Sequence, residues 1–173
     1  HMRISGQSII AGLMPQRLQD GMDPLVFQSL FKPGSSAQAQ DHVISYDFGN
    51  VLVDHAMRNP PIRPGFWRGV NVNQNTLYLE CFIGELAHAA GRDALEFRLA
   101  HMKNRPLGAA VLKAVAQRSG WGRDDGKSRG LAAVYAFGSY VAACAEVTVD
   151  ADGKLKMERI VAATDCGTAV NPQ

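Results

Sequence analysis

A change in hydrophobic period near the middle of the chain limits its architecture more than any other feature. From about residue 75, apolar side chains recur every three to four positions. Tyr78/Leu79, Phe82/Ile83, Leu86/Ala87 and Ala90 form a broad stripe that predicts a helix with one buried side. Gly91 supplies its left-handed stop, and Asp93 with Glu96 makes an N-cap and N3 pair that opens a second helix through about residue 101. A third helix is predicted over about 107–119, packed through Leu107, Val111 and Val115. Gly120-Trp121 closes it in a Schellman pattern, with the indole over the last turn. After a charged loop at 122–129 the chemistry turns to strand, over 131–137, 140–150 and 154–164. The expectation is an α+β fold, with about three helices layered on a mixed or antiparallel β-ribbon or small sheet.

Register can be argued at the last hairpin. A two-residue Asp152-Gly153 turn would set Val149 opposite Lys156 and mix the faces. A three-residue loop, Ala151-Asp152-Gly153, pairs Val149 with Leu155 and Val147 with Met157, with Gly153 in the left-handed position of a bulge. Further in, Val141-Ala142-Ala143 and Ile160-Val161-Ala162-Ala163 lose their alternation, which predicts a ribbon covered on both faces there.

The first 64 residues are less regular. His1-Met2 matches the scar of a cleaved affinity tag, and 3–64 read as short helices and strands broken by Gly and Pro. Residues 32–40 are turn-rich and polar, and 43–48 and 51–53 are strand-like. Pro60, Pro61 and Pro64 hold an extended arm before the helix-plus-hairpin region, 65–173. Because the chain stops just past a strand-like run, it reads as an excised part of a larger subunit.

Composition removes several classes of function. The 173 residues carry a net charge of +2, with 46% hydrophobic and 20% charged side chains, an ordinary globular balance. There is no concentrated cationic stripe of the kind nucleic acid requires, and no apolar run near the roughly 20 residues of a membrane span. Cys81, Cys144 and Cys166 are widely separated, which argues against a disulfide framework; Cys81 and Cys144 read as small buried hydrophobes. The histidines show no zinc spacing.

The candidate chemistry lies at Pro64-Gly65-Phe66-Trp67-Arg68-Gly69, which runs through Asn71, Asn73 and Gln74 into the first helix. A guanidinium and backbone N–H groups at a helix entrance can meet an oxyanion. The plainer local reading is a surface loop in which Trp67 plugs a core and Arg68 is solvated. Gly138-Ser139-Tyr140 lacks the second glycine of a nucleophile elbow and reads as a bend between strands. The glycines at 120–126 follow a helix rather than a strand, unlike a phosphate loop. Glu80, Glu85 and Glu96 read as solvated or capping. Asp165, ending a strand, could anchor a turn or line a site.

Three stretches in order resemble the large, molybdenum-cofactor-binding subunit of the xanthine dehydrogenase/aldehyde oxidoreductase family. The resemblance is strongest to its isoquinoline 1-oxidoreductase beta-subunit and membrane-bound aldehyde dehydrogenase branch. They are Phe66-Trp67-Arg68-Gly69 through Gln74, then Glu80 through Ala87 with Asp93 through Arg98, and Asp165-Cys166-Gly167 with Asn171-Pro172. The resemblance implies that Arg68 is the active-site arginine, and that Gly69, Gln74 and Asp165 approach a molybdenum–pterin cofactor. It implies hydroxylation of aldehydes or N-heterocycles with water as the oxygen source. Electrons would leave through a two-iron–two-sulfur subunit and a cytochrome c partner. The implied setting is periplasmic or membrane-associated, with the cytoplasm as the alternative. Asn71 and Asn73 stand where the wider family has glycines. The family's general-base glutamate and glycine-rich cofactor motif fall outside this stretch. By itself the piece is therefore expected to be inactive and cofactor-free, and to pair with a copy through an apolar edge. The competing reading is a non-enzymatic interaction module that docks partners through the proline-rich arm and Trp67.

Overall fold

The computed structural model describes residues 44–50, 68–69 and 72–171. The turn-rich segment at 32–40, the strand-like run at 51–53, the proline arm and Trp67 lie outside them. The chain divides into two compact units, one of residues 1–44 and 48–82 and one of 45–47 and 83–173. Helix α1 (Val72–Ala89) starts in the first and ends in the second. It begins about three residues before the apolar stripe does. Leu79, Ile83 and Ala87 are its buried apolar positions, while Tyr78 and Ala90, assigned to the stripe from sequence, are exposed. Glu80, expected in solvent, is buried, and Cys81, expected to be buried, is exposed. The helix is rotated so that its seam runs along 79, 83 and 87, one position every turn, and the flanking stripe residues stand aside.

The helix ends follow the sequence closely. At the end of α1 Gly91 N–H donates to the carbonyl of His88 and Arg92 N–H to that of Ala87. Asp93 caps α2 (Ala94–Ala100), its Oδ1 accepting from the N–H groups of Leu95 and Glu96 at 2.9 and 3.0 Å. Helix α3 (Pro106–Ser119) closes on Gly120 at φ 71°, with Trp121 N–H on the carbonyl of Ala116. A residue with a Cβ at Gly120 would be strained in that left-handed conformation. The indole also makes a contact that the sequence did not suggest. Its Nε1–H reaches Asp93 Oδ2 at 2.9 Å, so one carboxylate caps α2 and ties it to the end of α3.

Strands β1 (Ser128–Ala136), β2 (Ser139–Val149) and β3 (Leu155–Asp165) form an antiparallel meander in that spatial order. Phe137 and Gly138, both at positive φ, make the tight turn between β1 and β2, so the Gly-Ser-Tyr run is a bend between strands. The β2–β3 hairpin has the three-residue loop: Val149 pairs with Leu155, Val147 with Met157, and Gly153 sits at φ 78°. Asp150 Oδ1 holds the loop by accepting from the N–H groups of Asp152 and Lys154.

Helix α3 lies across all three strands. Val111, Leu112, Val115 and Ala116 meet Leu131, Ala133, Ala142 and Cys144 in the core of the second unit. Leu107, assigned to this face from sequence, is 49% exposed, because the buried stripe of the helix runs through Gly108, Val111, Leu112, Val115, Ala116 and Ser119 and leaves it aside. At Gly108 an added Cβ would stand 3.0 Å from Met102 Cε and 3.4 Å from a Tyr140 ring carbon, so a larger residue would require the Met102 methyl to shift by a few tenths of an ångström. Residues 44–48 form no strand, with bends at Ser45 and Tyr46. Ser45 Oγ accepts the N–H of Tyr135 on β1, and Asp47 accepts from Asn104 N–H and Arg105 Nε. The backbone N–H of Asp47 donates to the carbonyl of His101.

The expectation of coverage on both faces near 141–143 and 160–163 does not hold. Ala142 is buried, but Ile160 is 62% exposed and Ala162 is exposed. β3 is an edge strand whose second face carries apolar side chains in the open.

Candidate functional site

Of the arginine loop, Arg68 and Gly69 are among the described residues. Arg68 and Gly69 form a turn directly ahead of α1, and Arg68 is exposed. Its main chain is held: Asn73 Nδ2 donates to the Arg68 carbonyl at 2.6 Å, and Val72 N–H donates to that of Gly69 at 2.9 Å. Gly69 has φ 82°, and an added Cβ would run into the Asn73 carboxamide. The Asn73 side chain therefore clamps the turn, and Gly69 leaves the room for it. Gln74 lies half-buried in the first turn of α1, close in sequence to Asn75, whose buried Oδ1 has no hydrogen-bond partner among the described residues. An exposed guanidinium, a helix start with its positive dipole end and a buried carbonyl acceptor thus fall within residues 68–75.

Asp165 belongs to the second unit. It ends β3 opposite Tyr140, half-buried, and its Oδ1 accepts the N–H of Gly167 at 3.1 Å. Its carboxylate anchors the turn into Cys166-Gly167.

Sequence reasoning missed the densest polar cluster of the described residues. Glu146 on β2 has no exposed surface, yet it faces the helix side of the sheet. Its Oε1 accepts from Arg159 Nε at 3.1 Å and from Arg159 Nη2, and its Oε2 lies 3.4 Å from Lys127 Nζ. Arg129 Nε stands 3.7 Å from Oε1 and donates to the Ser119 carbonyl at 3.1 Å. Arg159 Nη2 reaches the same carbonyl at 3.5 Å, so two guanidiniums meet the negative end of α3. Asp125 completes the set with bonds of 2.9 and 2.5 Å to Arg129. Hydrogen bonds from Arg159 hold the Glu146 carboxyl below its usual range despite its desolvation. Those from Arg129 bring Asp125 down to about 2.

The missed signal was a bulge. Continuing the hairpin register inward from Val147–Met157 would set Glu146 opposite Glu158. The register shifts between Glu146 and Val147 instead, and Glu146 pairs with Arg159. One inserted residue thus exchanges a like-charge pair for a row of Arg129, Glu146 and Arg159 across three strands. The displaced Glu158 is taken up by Thr148 Oγ1 at 2.9 Å and Lys156 Nζ at 3.0 Å.

A cavity of about 10 Å³ sits where Met102, Arg105 and Gly108 meet Tyr135 and Tyr140. It holds about one water and no organic substrate. Burial lowers the pKa of Arg105 there. Among the described residues no cluster of His, Cys, Asp and Glu is arranged to hold a metal ion, and no helix is long and apolar enough to cross a membrane.

Residues 81–173, more than half of the chain, match the family model of the molybdopterin cofactor-binding domain. The chain belongs to this family. It is 29% identical over 136 residues to the beta chain of isoquinoline 1-oxidoreductase from Brevundimonas diminuta, covering 75% of this chain and 17% of that protein. It is 32% identical over 148 residues to a subunit of nicotinate dehydrogenase from Pseudomonas putida, covering 74% of this chain and 12% of that protein. The chain therefore spans less than a fifth of either relative. No solved structure matches it.

The matched stretch of this cofactor-binding family contains Asp165 and the Glu146 cluster. Arg68, Gly69 and Gln74 precede it. The family's cofactor is anionic and rich in hydrogen-bonding ring nitrogens. The residues that begin α1 fit such a group in kind, through the Arg68 cation, the helix start and the buried Asn75 Oδ1.

Proposed function

We propose that this chain is a segment of the large subunit of a molybdenum hydroxylase, one that oxidises a ring carbon of an N-heterocycle or the carbonyl carbon of an aldehyde. The observation that carries the reading is the cofactor-binding family match over residues 81–173. The names of both relatives, an isoquinoline oxidoreductase and a nicotinate dehydrogenase, support an N-heteroaromatic substrate in preference to an aldehyde. The net change replaces a C–H bond by C–OH with oxygen from water, releasing two protons and two electrons. The electrons pass to an iron–sulfur partner subunit, with cytochrome c as the onward acceptor and the periplasm as the setting. When bound, the molybdenum–pterin group supplies oxygen transfer to carbon and takes up the electron pair.

This chain's own residues bind and orient. Arg68 presents N–H donors from a turn whose backbone is fixed to α1, so it can hold a substrate oxygen or ring nitrogen without ordering a long loop. Gly69 keeps that turn tight. Gln74 stands in the first turn of that helix, and Asp165 fixes the turn after β3.

The test uses the full-length subunit, purified with its partners. Stoichiometric molybdenum and pterin are expected by elemental analysis and fluorescence, and a subunit free of both ends the reading. Arg68→Ala should lower kcat/KM by about 10²–10³-fold at unchanged molybdenum content. Unchanged turnover would remove Arg68 from the substrate site.

A further inference from the structure

The sheet has a second face, opposite α3, and its composition is unusual for a surface. On β1 it comprises the even-numbered positions from 128 to 136, and on β2 the odd-numbered ones from 139 to 149. The bulge keeps Met157 and Ile160 on this same face of β3, followed by Ala162 and Thr164. Every position is Gly, Ala, Ser, Thr or a hydrocarbon or thioether side chain; none carries charge. Val149, Leu155, Met157 and Ile160 are 50–62% exposed, and a Cβ built on Gly130 would meet nothing within 4 Å. Lone exposed apolar residues are ordinary, but a contiguous charge-free sheet face is a contact surface.

Its relief is also particular. Ala132, Ala143 and Ala162 stand in one row across the three strands, next to a row of Gly130, Ala145 and Ile160. This floor is low, and a rim of Val147, Val149, Leu155 and Met157 rises at the hairpin end. A neighbouring backbone can approach such a floor closely while the rim packs beside it.

We infer that this face seats an uncharged, apolar layer supplied by the same large subunit from outside the 173 residues. The inference rests on the reading of the chain as a segment of a longer subunit. Two observations favour that occupant. Both relatives carry more than four-fifths of their length outside the matched segment, which is ample polypeptide for another layer. From strand spacing and rise the face covers roughly 500 Å² per copy, so a pair of copies would bury roughly 1,000 Å², the lower limit for a specific interface. Tethered polypeptide meets no such limit, because its docking is intramolecular.

The test compares Ile160→Lys in two settings. In the full-length subunit the new ammonium would be trapped under the covering layer, and the melting temperature should fall by about 5 °C or more. In the 173-residue chain at low micromolar concentration the same change should be neutral. A neutral result in the full-length subunit overturns the inference, because the face is then open to solvent. A fall in the short chain also overturns it, because residues of that chain then cover the face. Dissociation of a full-length dimer without a change in melting temperature assigns the face to a second copy and overturns it too. Should the lysine variant yield no soluble subunit, Ile160→Cys replaces it, in a background with Cys81 and Cys166 changed to serine. Maleimide labelling of the peptide containing position 160 should then be at least ~10-fold slower in the full-length subunit than in the short chain. Equal rates overturn the inference. Molybdenum content is read on the same preparations: a loaded subunit with an open face loses only this inference, whereas a subunit without molybdenum loses the functional reading.

Discussion

The two faces of the three-stranded sheet reverse the usual relation between polarity and burial. The face under α3 contains Glu146 with no exposed surface, and beside it Arg129, whose side chain is 6% exposed. The opposite face is free of charge and leaves Ile160 and Leu155 about as exposed as surface residues. Hydrophobicity therefore does not say which side of this sheet is inside. The covered side is decided by where a helix can dock and satisfy its own end. The carbonyl of Ser119 at the end of α3 needs donors, and the Arg129–Glu146–Arg159 row supplies them. On the uncovered side no charge interrupts the apolar surface, although none of the three described helices packs on it.

That contrast can be broken most forcefully beneath α3. Leu112 is fully buried between the helix and the sheet, and Leu112→Ala should cost about 2–5 kcal/mol and lower the melting temperature by ~10 °C or more. A small effect in a calorimetric scan would mean that α3 does not pack tightly on this face.

Acid acts next, and only on the charged side. Glu146, Asp125 and Glu158 are all held below their ordinary values by hydrogen bonds, respectively from Arg159, Arg129 and Lys156. Their contribution is complete above the ordinary carboxylate values of 4.5 and 3.8. It is lost as pH falls through the depressed ones, down to about 2 for Asp125. Melting temperature followed from neutral pH into this acid range should fall steeply over that window. Glu146→Gln, which cannot titrate, should start lower and fall less. Parallel profiles for the two proteins would show that the row does not hold the sheet to the helix.

A smaller effect is expected where the start of α2 is tied to the end of α3. Asp93→Ala removes both the cap and the indole bond and should cost about 1–2 kcal/mol, measured by denaturant unfolding. An intact stability would mean that the indole bond is idle. The smallest change belongs to the open face: Leu155→Thr in the 173-residue chain should lie within about ±0.5 kcal/mol. A loss comparable to that of Leu112→Ala would place a hidden contact over β3 and erase the distinction between the faces.

Local chemistry made much of this legible from sequence. Gly91, Gly120, Asp93 and the Ala151-Asp152-Gly153 loop lie within a few residues of what they control, so helix ends and hairpin register could be read directly. The candidate turn at Arg68–Gly69 and the helix behind it were legible for the same reason, being neighbours in sequence. The Glu146 row was hidden because its members, at 129, 146 and 159, meet only through strand pairing. A one-residue bulge decides which of Glu158 and Arg159 faces Glu146.

By itself, then, the order of residues determined the three helices between 72 and 119, the strands between 128 and 165, and the caps and hairpin loop that end them. Those depend on contacts a few residues long, where side-chain period and turn chemistry leave few alternatives. Only tertiary structure decided that a glutamate lies inside and an isoleucine outside, that Trp121 joins Asp93, and that β3 keeps one face open. Burial is a property of what docks on a surface, and a surface's own residues do not specify what will come to cover it.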